Sequence, residues 1–232
     1  MIMKKIAVVT GAGISAESGI STFRDSNGLW ENYPVEQVAT SDSWYVFGRK
    51  ALMLDFYNQR RRGLKDCEPN LAHKIVAELE QDFDVTVATQ NIDDLHERAG
   101  STRIIHLHGE LTKARGEFDD YYSAFPIGYE DINIGDLTKK GQQIRPHIVW
   151  FGEAVPELEK AEKAVRNADI MIVIGTSLAV YPAAGLVYYT RPGTEIYLID
   201  PKDVVSSVGF THIKEKATVG MQKMKEILMS KK

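Results

Sequence analysis

In the stretch AVVTGAGISAESGISTFRD, residues 7–25, a short apolar run typical of a buried strand passes directly into turns of small residues. Gly11, Gly13 and Ala16 fit the pattern G-x-G-x-x-A after a strand, in which small residues let backbone amides approach a pyrophosphate near a helix N-terminus. A tight turn that needs glycine only for its geometry is the alternative. The ordinary dinucleotide fold has a second strand ending in an acid about 20 residues further on. Here the next strand arrives only near Val85, so the usual hydride-transfer fold fits poorly.

The composition indicates a globular protein with a substantial core. The 232 residues are 44% hydrophobic, and the 26% charged residues leave a net charge of only -4. That balance does not predict a general nucleic-acid or membrane surface, and the first apolar run breaks at Gly11, too early for a signal peptide or membrane span. The single cysteine, Cys67, excludes an internal disulfide framework and any multi-cysteine zinc site. We therefore expect a cytoplasmic protein with no nucleic-acid or membrane partner.

Short apolar runs alternate with helical patterns along the chain. We predict buried parallel strands at residues 5–11, 84–91, 103–109, 170–177 and 195–200, and amphipathic helices at 70–81 and 156–168. In the first of these helices, Leu71, Ile75, Val76 and Leu79 share an apolar stripe. The alternation predicts a doubly wound α/β domain whose ligands bind beyond the carboxyl ends of the strands.

Two stretches interrupt this alternation. Residues 26–69 are aromatic-rich and largely helical, and residues 111–145 show no strong period. They predict a smaller lobe inserted into the sheet domain. We assign residues 1–33, 70–110 and 146–232 to the sheet domain, and residues 34–69 and 111–145 to two modules of the small lobe.

The segment TQNIDDLHERAG places Gln90, Asn91 and Asp93 at the carboxyl end of a predicted strand. Amide and carboxylate groups there can bind a polar ligand by paired hydrogen bonds. The alternative is a helix N-cap, because asparagine or aspartate before an apolar run is common capping chemistry.

The segment HLHGE places His106 and His108 on one face of a predicted strand, with His108 at its end. A histidine near solvent and near its natural pKa can act as a general base. A metal site is the second interpretation, although the sequence offers no convincing third or fourth ligand. A structural histidine with satisfied hydrogen bonds is the third.

Five motifs, GAGISAESGISTFR, TQNIDD, HLHGE, RPHIVWFGE and GTSLAVYPAA, occur in this order between about residues 5 and 200. Together they resemble the sirtuin family of NAD-dependent protein deacylases. The resemblance implies an α/β fold, a Rossmann-like doubly wound parallel sheet with a smaller inserted lobe. It also implies that NAD is consumed as a co-substrate and that the partner is an acylated lysine of a protein or peptide. We expect a monomer.

The resemblance assigns roles to the residues of these motifs. Gly11, Ala12, Gly13 and Ser15 match the NAD-phosphate loop, Phe23 and Arg24 match mobile residues that shield the ribose and contact phosphate, Gln90, Asn91, Ile92 and Asp93 match the ribose and nicotinamide pocket, and Gly175, Thr176 and Ser177 match a second phosphate and ribose contact. His108 matches the catalytic base, and Asn91 is also assigned to the catalytic residues.

The resemblance further implies the reaction. Nicotinamide leaves C1′ of the ribose as the acyl-lysine carbonyl oxygen attacks, and His108 then removes a proton from the ribose hydroxyls. The products are free lysine, nicotinamide and O-acyl-ADP-ribose. A closed, largely apolar pocket suits this chemistry because it keeps bulk water from the reacting centre.

Residues Val149, Trp150, Phe151 and Gly152, in HIVWFGE, match the segment that pairs with the substrate backbone as an added strand and shapes the acyl-lysine tunnel. Its alternative is an ordinary apolar core strand.

A second signature concerns the acyl group. Tyr57 and Arg60 lie at i, i+3 on one helix face and match the Tyr-x-x-Arg pair of sirtuins that prefer acidic acyl chains. Arginine can bind a carboxylate through two parallel hydrogen bonds, and the tyrosine hydroxyl adds a third. Ala39 matches the small residue that leaves room for a longer chain. The resemblance therefore implies removal of succinyl, malonyl or glutaryl groups, with acetyl as a further substrate; a surface arginine on a basic helix is the alternative.

The chain departs from the family pattern at two places. The family usually carries four zinc-binding cysteines in the small lobe, and this chain has none between 111 and 145, so no zinc is expected. We expect apolar packing to replace the metal, through Phe118, Tyr121, Tyr122, Phe125, Ile127, Tyr129, Ile132 and Leu137. Leu198 stands where the family often has an asparagine for the adenosine ribose, which leaves Asp200 as the replacement.

Two rival functions stay open. A mono-ADP-ribosyltransferase would pass ADP-ribose to a protein after the same NAD cleavage, but Tyr57 and Arg60 have no evident role in it. A non-catalytic NAD or ADP-ribose sensor would have little need for the base His108.

Overall fold

The computed structural model describes residues 3–21, 33–178, 181–205 and 207–231. Its strands are β1 (Lys5–Thr10), β2 (Asp84–Thr89), β3 (Ile104–His106), β4 (Gly109–Gly116), β5 (Phe125–Pro126), β6 (Ile144–Ile148), β7 (Ile170–Ile174), β8 (Glu195–Ile199) and β9 (Thr211–Ile213). Its α-helices are α1 (Val35–Val38), α2 (Ser41–Tyr45), α3 (Arg49–Lys65), α4 (Leu71–Glu78), α5 (Leu95–Ala99), α6 (Leu158–Asn167) and α7 (Ala217–Ser230).

The main sheet is six-stranded and parallel, in the order β3-β2-β1-β7-β8-β9. Strand β7 is buried along its whole length, as expected where helices cover both faces of a sheet. The chain runs outward from β1 on one side and from β7 on the other, so the strand order reverses between them. Ligands bind at such a reversal in α/β folds. The predicted doubly wound fold is confirmed, with the short edge strand β9 as an addition.

Each face of the sheet carries its own core. Helices α4 and α7 cover one face through Ile75, Val76, Met221 and Met224, while α6 and the 3-10 helix Ala183–Tyr189 cover the other. The predicted stripe of α4 is wrong at its first position, because Leu71 is 40% exposed. Ala72 is fully buried instead, and it continues the spacing of Ile75, Val76 and Leu79 at i, i+3, i+4 and i+7.

The small lobe joins helices α1 to α3 to a three-stranded antiparallel sheet in the order β5-β4-β6. Its core contains Trp44, Phe56, Leu111 and Trp150. Strands β4 and β6 extend beyond residues 111–145 on either side, so the small sheet is longer than the predicted module. The chain division in the sequence analysis remains a proposal.

The apolar packing expected in place of zinc is wrong for half of its residues. Phe118, Tyr122, Phe125 and Leu137 are exposed, whereas Ile132 is buried and Ile127 and Tyr129 pack against the lobe core. Polar side chains bind the loops together instead. Gln143 donates to the carbonyl oxygens of Asn133, Asp136 and Ile144, because its buried amide can reach several turns of the same loop.

None of the helices in the described part of the chain is both long and apolar enough to cross a lipid bilayer.

Candidate active site

A cleft of about 740 Å³ opens where the strand order reverses, between the sheet domain and the small lobe. That volume lies within the usual range for small-molecule sites, roughly 300–1,000 Å³. The predicted site residues that line it are Gly11, Ala12, Gly13, Ser15, Ala39, Tyr57, Arg60, Gln90, Asn91, Ile92, Asp93, His108, Val149, Trp150, Phe151, Gly152, Gly175, Thr176, Ser177 and Asp200. The structure thus brings together residues that are far apart in the chain. Phe23 and Arg24 lie outside the described residues.

The glycine loop after β1 packs directly against the turn after β7. Gly11 N donates to Ile174 O at 3.0 Å, and Gly13 N donates to Gly175 O at 2.9 Å. A Cβ on Gly13 would stand 2.5 Å from the Gly175 Cα, which is far inside contact distance. The glycines are therefore required by the close approach of two backbones, and their amides are bonded within the protein, so a ligand at this loop would have to bind other groups of the loop.

The loop continues as two 3-10 helices, Ala12–Ile14 and Ala16–Ser18. The expected helix N-terminus behind the loop is wrong for the described residues, because the chain makes only single turns here. Gly19 ends the second turn in the left-handed region, with φ of 87°.

Ser15 is fully buried and joins two other predicted residues. Its Oγ donates to Asp93 Oδ2 at 2.9 Å and accepts from Asn91 Nδ2 at 3.0 Å. His73 Nε2 lies 3.4 Å from the same hydroxyl. Ser15 therefore connects the loop after β1 with the segment after β2 and with helix α4. Its bond to Asn91 fixes the position of that side chain at the cleft wall.

Asp93 has two structural partners besides its place in the cleft. Its Oδ1 accepts the Leu95 amide at 3.2 Å, and its Oδ2 accepts a hydrogen bond from the Ser15 hydroxyl. The interpretation of Asp93 as a helix N-cap is wrong, because the N-cap of α5 is Asp94, whose side chain makes no capping bond. Burial raises the pKa of Asp93, and the bonds from Ser15 and Leu95 counteract that rise. Burial thus favours the protonated carboxyl group, and the two hydrogen bonds favour the charged carboxylate.

His108 lies at the turn between β3 and β4 and lines the cleft. Its Nδ1 is 2.9 Å from Gln90 O, and only a donor nitrogen can bond a carbonyl oxygen, so Nδ1 carries the hydrogen. The lone pair is then on Nε2. Burial lowers the pKa of His108 below its usual 6.5, although the Gln90 bond opposes this. A neutral imidazole with a fixed tautomer is suited to accept a proton near neutral pH.

His106 has a different environment, because β3 ends at this residue and the next two residues turn away. Its Nε2 lies 2.6 Å from Glu97 Oε1, and Nδ1 lies 3.3 Å from Asn91 O. Burial is the largest single effect and lowers its pKa, but the bond to Glu97, the charges of Glu97 and Glu110 and the contact with Asn91 O together outweigh burial and raise the pKa. The interpretation of a satisfied structural histidine fits His106. Among the described residues, His106, Glu97 and Glu110 bring three possible metal-ligating atoms close together, and His108 does not belong to this group. The sequence pattern did not indicate the two glutamates.

The small-lobe end of the cleft carries the Tyr-x-x-Arg pair. Tyr57 and Arg60 lie one turn apart on α3, and Arg60 is half-buried in the cleft wall rather than on the outer surface. Burial lowers the pKa of Arg60, while the neighbouring Tyr57 and Asp93 raise it. Ala39 is buried nearby and lines the same space. A guanidinium with little solvent around it favours an anionic ligand.

The segment after β6 does not continue as a strand. Phe151 N donates to Ala39 O and Phe151 O accepts from Ser41 N, both at 2.9 Å. Val149 N donates to His108 O at 2.9 Å, which ties this segment to the histidine. The interpretation as an ordinary core strand is wrong, because β6 ends at Ile148 and Phe151 is 48% exposed. The amides of Val149 and Phe151 are bonded within the protein, so a substrate strand would have to use other backbone groups.

Several cleft residues were missed by the sequence patterns, among them Ser21, Leu111, Tyr181, Lys202 and Lys216. Lys202 follows β8, so the rule that ligands bind beyond strand ends could have indicated it. Lys216 stands before α7 and carries no local signal. Asp200 Oδ1 accepts the Lys202 amide at 2.8 Å, which fixes the turn that bears both residues.

These features define an α/β enzyme whose cleft lies where such folds bind nucleotides. The cleft contains a histidine held in one tautomer, His108, and an arginine at its small-lobe end, Arg60. Hydroxyl and amide groups on three neighbouring strand ends, including Thr176, which accepts from Gln90 Nε2 at 3.2 Å, can bind riboses and phosphates.

Comparisons with known proteins agree. Residues 11–182 match the Sir2 family. The chain is 52% identical to an NAD-dependent protein deacylase of Bacteroides thetaiotaomicron, over 98% of this chain and 99% of the relative. It is 54% identical to one of Helicobacter pylori, over 86% of each. A solved Sir2 homologue in complex with NAD superposes with a TM-score of 0.87 at 35% identity, over 98% of this chain and 90% of that one. The chain therefore belongs to the Sir2 family of NAD-dependent protein deacylases.

Proposed function

We propose that this enzyme removes acidic acyl groups, of the succinyl and malonyl type, from lysine side chains in an NAD-dependent reaction. The products are free lysine, nicotinamide and O-acyl-ADP-ribose. One observation carries the proposal: Tyr57 and Arg60 line the same cleft as His108. Acetyl groups are expected as weaker substrates, because they lack a carboxylate for Arg60.

The sheet-domain end of the cleft is proposed to hold NAD. The small-residue loop 11–15 and the turn 175–177 would bind phosphates and ribose, while Gln90, Asn91, Ile92 and Asp93 would surround the reacting ribose and nicotinamide. Asp200 would contact the adenosine ribose, and Lys202 and Lys216 add positive charge near the same end. The position of these segments supports this assignment, because each of them follows or flanks a parallel strand, and ligands of such sheets bind beyond the strand ends.

His108 is proposed as the general base, with Asn91 as its catalytic neighbour. The Nδ1 bond to Gln90 O keeps the imidazole in one tautomer, so Nε2 can accept the ribose hydroxyl proton. The backbone bond from Val149 N to His108 O supports a lysine tunnel beside the proposed base. The segment Val149 to Gly152 would then receive the substrate.

Arg60 is proposed to bind the acyl carboxylate. In a buried cleft, a charge-assisted pair to guanidinium is shorter and stronger than a neutral hydrogen bond. Tyr57 lies one turn away on the same helix face and can donate a further hydrogen bond. Ala39 leaves space at this end, since a larger side chain would fill it.

The test compares matched acetyl-lysine and succinyl-lysine peptides with Arg60→Met and Arg62→Met. Arg62 is a matched control because it sits on the same helix but pairs at the surface with Asp131. We expect Arg60→Met to lower kcat/KM for the succinyl peptide by about tenfold to a hundredfold, the size of one charged hydrogen-bond partner. Arg62→Met is expected to behave like the wild type. If Arg60→Met kept succinyl removal and lost acetyl removal, the acyl assignment would be wrong.

A further inference from the structure

Trp150 makes a direct hydrogen bond to the tyrosine of the acyl pocket. Its indole Nε1 lies 3.0 Å from the Tyr57 hydroxyl oxygen, and both side chains are almost fully buried. The two rings are tilted by 36° with centroids 6.4 Å apart, so the contact is made by the polar edge rather than by stacking.

The direction of this bond is fixed by chemistry. An indole nitrogen can donate but cannot accept, so the Tyr57 oxygen is the acceptor. The hydroxyl hydrogen of Tyr57 must therefore point away from Trp150. Burial raises the pKa of Tyr57 to about 12, with a smaller opposing effect from Arg60, so the hydroxyl keeps its hydrogen at neutral pH. Tyr57 lines the cleft next to Arg60, where that hydrogen can be donated to a ligand.

The indole packs against the Arg145 guanidinium, and Glu153 bonds both that guanidinium and the Trp150 backbone amide. The Arg145 guanidinium lies 3.4 Å from the Trp150 ring centroid, and the Trp44 ring packs at 5.3 Å. Arg145 Nη1 and Nη2 donate to the two carboxylate oxygens of Glu153 at 2.6 and 3.1 Å. Glu153 Oε2 also accepts the Trp150 amide at 2.8 Å. Bidentate pairing fixes the plane of the guanidinium that packs against the indole.

We infer that Trp150, clamped by Arg145 and Glu153, is a specificity-determining residue that aims the Tyr57 hydroxyl hydrogen at the carboxylate of an acidic acyl chain. The inference rests on the proposed acidic-acyl function and deepens it. In this chain of hydrogen bonds, Trp150 Nε1 donates to the Tyr57 oxygen, and the Tyr57 hydroxyl donates to the carboxylate. Each bond polarises the next group and so strengthens the next bond. An acetyl group offers no acceptor at this point, so the same hydroxyl is left unpaired and the neutral substrate is disfavoured.

The test is a double-mutant cycle on Trp150→Phe and Tyr57→Phe, read as the ratio of kcat/KM for succinyl and acetyl peptides. Phenylalanine at position 150 keeps an aromatic ring over Arg145 and removes the N–H donor. We expect Trp150→Phe to lower the ratio about threefold to tenfold, mainly through KM for the succinyl peptide, and Tyr57→Phe to lower it further. In the double variant, the Trp150 change should add less than twofold, because its partner is gone.

Trp44→Phe is the matched control. Trp44 is in the same aromatic cluster, but its Nε1 donates to Glu117 Oε2 at 2.9 Å and not to the tyrosine. We expect it to lose stability and to keep the wild-type ratio. If Trp150→Phe does not fold, benzothienylalanine at position 150, in which sulfur replaces the N–H, keeps the shape and makes the same test.

The outcomes separate the inference from the proposed function. A wild-type enzyme with no succinyl preference would overturn the proposed function. A wild-type preference that depends on Arg60 but survives Trp150→Phe, or a fully additive cycle, would overturn the role of Trp150 alone. A ratio that falls equally in Trp44→Phe would show a general packing effect, and would also overturn it.

Discussion

His108 is joined to Gln90 through Nδ1, at 2.9 Å from the Gln90 carbonyl oxygen, so one strand end of the sheet sets the tautomer of a histidine on another. Gln90 in turn donates its side-chain amide to Thr176 on a third strand end. The proposed base is therefore oriented by bonds between strand ends of the sheet.

The pH dependence of the reaction follows from this environment. Burial lowers the pKa of His108 below 6.5, and the base must be neutral to act. We expect the acid limb of the kcat/KM profile to be centred below pH 6.5. Steady-state rates of peptide deacylation between pH 5 and 8 measure this. An acid limb centred above pH 6.5 would contradict the assignment.

Ser15→Ala tests the hydrogen bonds that Ser15 makes to Asn91 and Asp93 behind the cleft wall. The change leaves the Asn91 amide and the Asp93 carboxylate without their shared partner, so we expect kcat/KM to fall about tenfold or more and stability to fall by about 1–3 kcal/mol. Ser18→Ala is the matched control, because Ser18 Oγ bonds Asn70 and does not line the cleft. Equal losses in the two variants would argue against a special role for Ser15.

Gly13→Ala tests the contact between the two loops. The new methyl group would stand 2.5 Å from the Gly175 Cα, so we expect a loss of about 1–3 kcal/mol in the free energy of unfolding. Gly63→Ala, inside helix α3 with no atom within 4 Å of the new Cβ, should instead gain about 0.5–1 kcal/mol. Urea unfolding of both variants gives the comparison, and a neutral Gly13→Ala would show that the loops can separate.

Stability should fall in mild acid through His147, which lies on β6 in the small lobe and does not line the cleft. Burial, and then the charges of Arg115 and Lys113, lower its pKa to about 4. In the unfolded chain a histidine binds a proton near pH 6.5. The unfolded state therefore gains protons between pH 6.5 and 4 while the folded state does not, and this contribution to stability is complete above pH 6.5 and lost as the pH falls.

His147→Phe removes that titration. We expect the wild type to lose about 2 kcal/mol relative to the variant between pH 7 and pH 4, after allowance for partial solvation. Denaturant unfolding at a series of pH values measures the difference. Parallel curves for the two proteins would contradict the buried neutral histidine.

Metal analysis tests the small lobe. The chain has one cysteine, Cys67, which cannot form a cysteine cluster by itself, so we expect no stoichiometric zinc and no effect of a chelator on the melting temperature. One tightly bound zinc per chain, found by elemental analysis, would contradict this.

The sequence predicted the parallel sheet well, because strands such as β7 are buried on both faces and read as unbroken apolar runs. It missed β9, Thr211–Ile213, which is too short to show a period, and the small sheet, whose strand β4 carries charged residues and a register shift. Leu71 was misassigned because an apolar stripe that starts at Leu71 and one that starts at Ala72 both fit helical spacing.

The candidate site was predicted as a set of residues but not as a set of contacts. Strand ends converge in any such sheet, so Gln90, Asn91 and Thr176 could be expected to meet. The bonds of Ser15 to Asn91 and Asp93, and of Trp150 to Tyr57, join segments separated by 76 or more residues, and no local pattern encodes them.

The most direct test is to incubate the purified protein with NAD and a succinyl-lysine peptide, and to follow free lysine peptide, nicotinamide and O-succinyl-ADP-ribose by mass spectrometry, with an acetyl-lysine peptide and His108→Ala in parallel. The proposed function predicts formation of O-succinyl-ADP-ribose faster than O-acetyl-ADP-ribose, and loss of both products in His108→Ala. Nicotinamide release with ADP-ribose attached to protein would favour the transferase reading, and NAD binding without any nicotinamide release would favour the sensor; either result would contradict the deacylase mechanism proposed for this cleft.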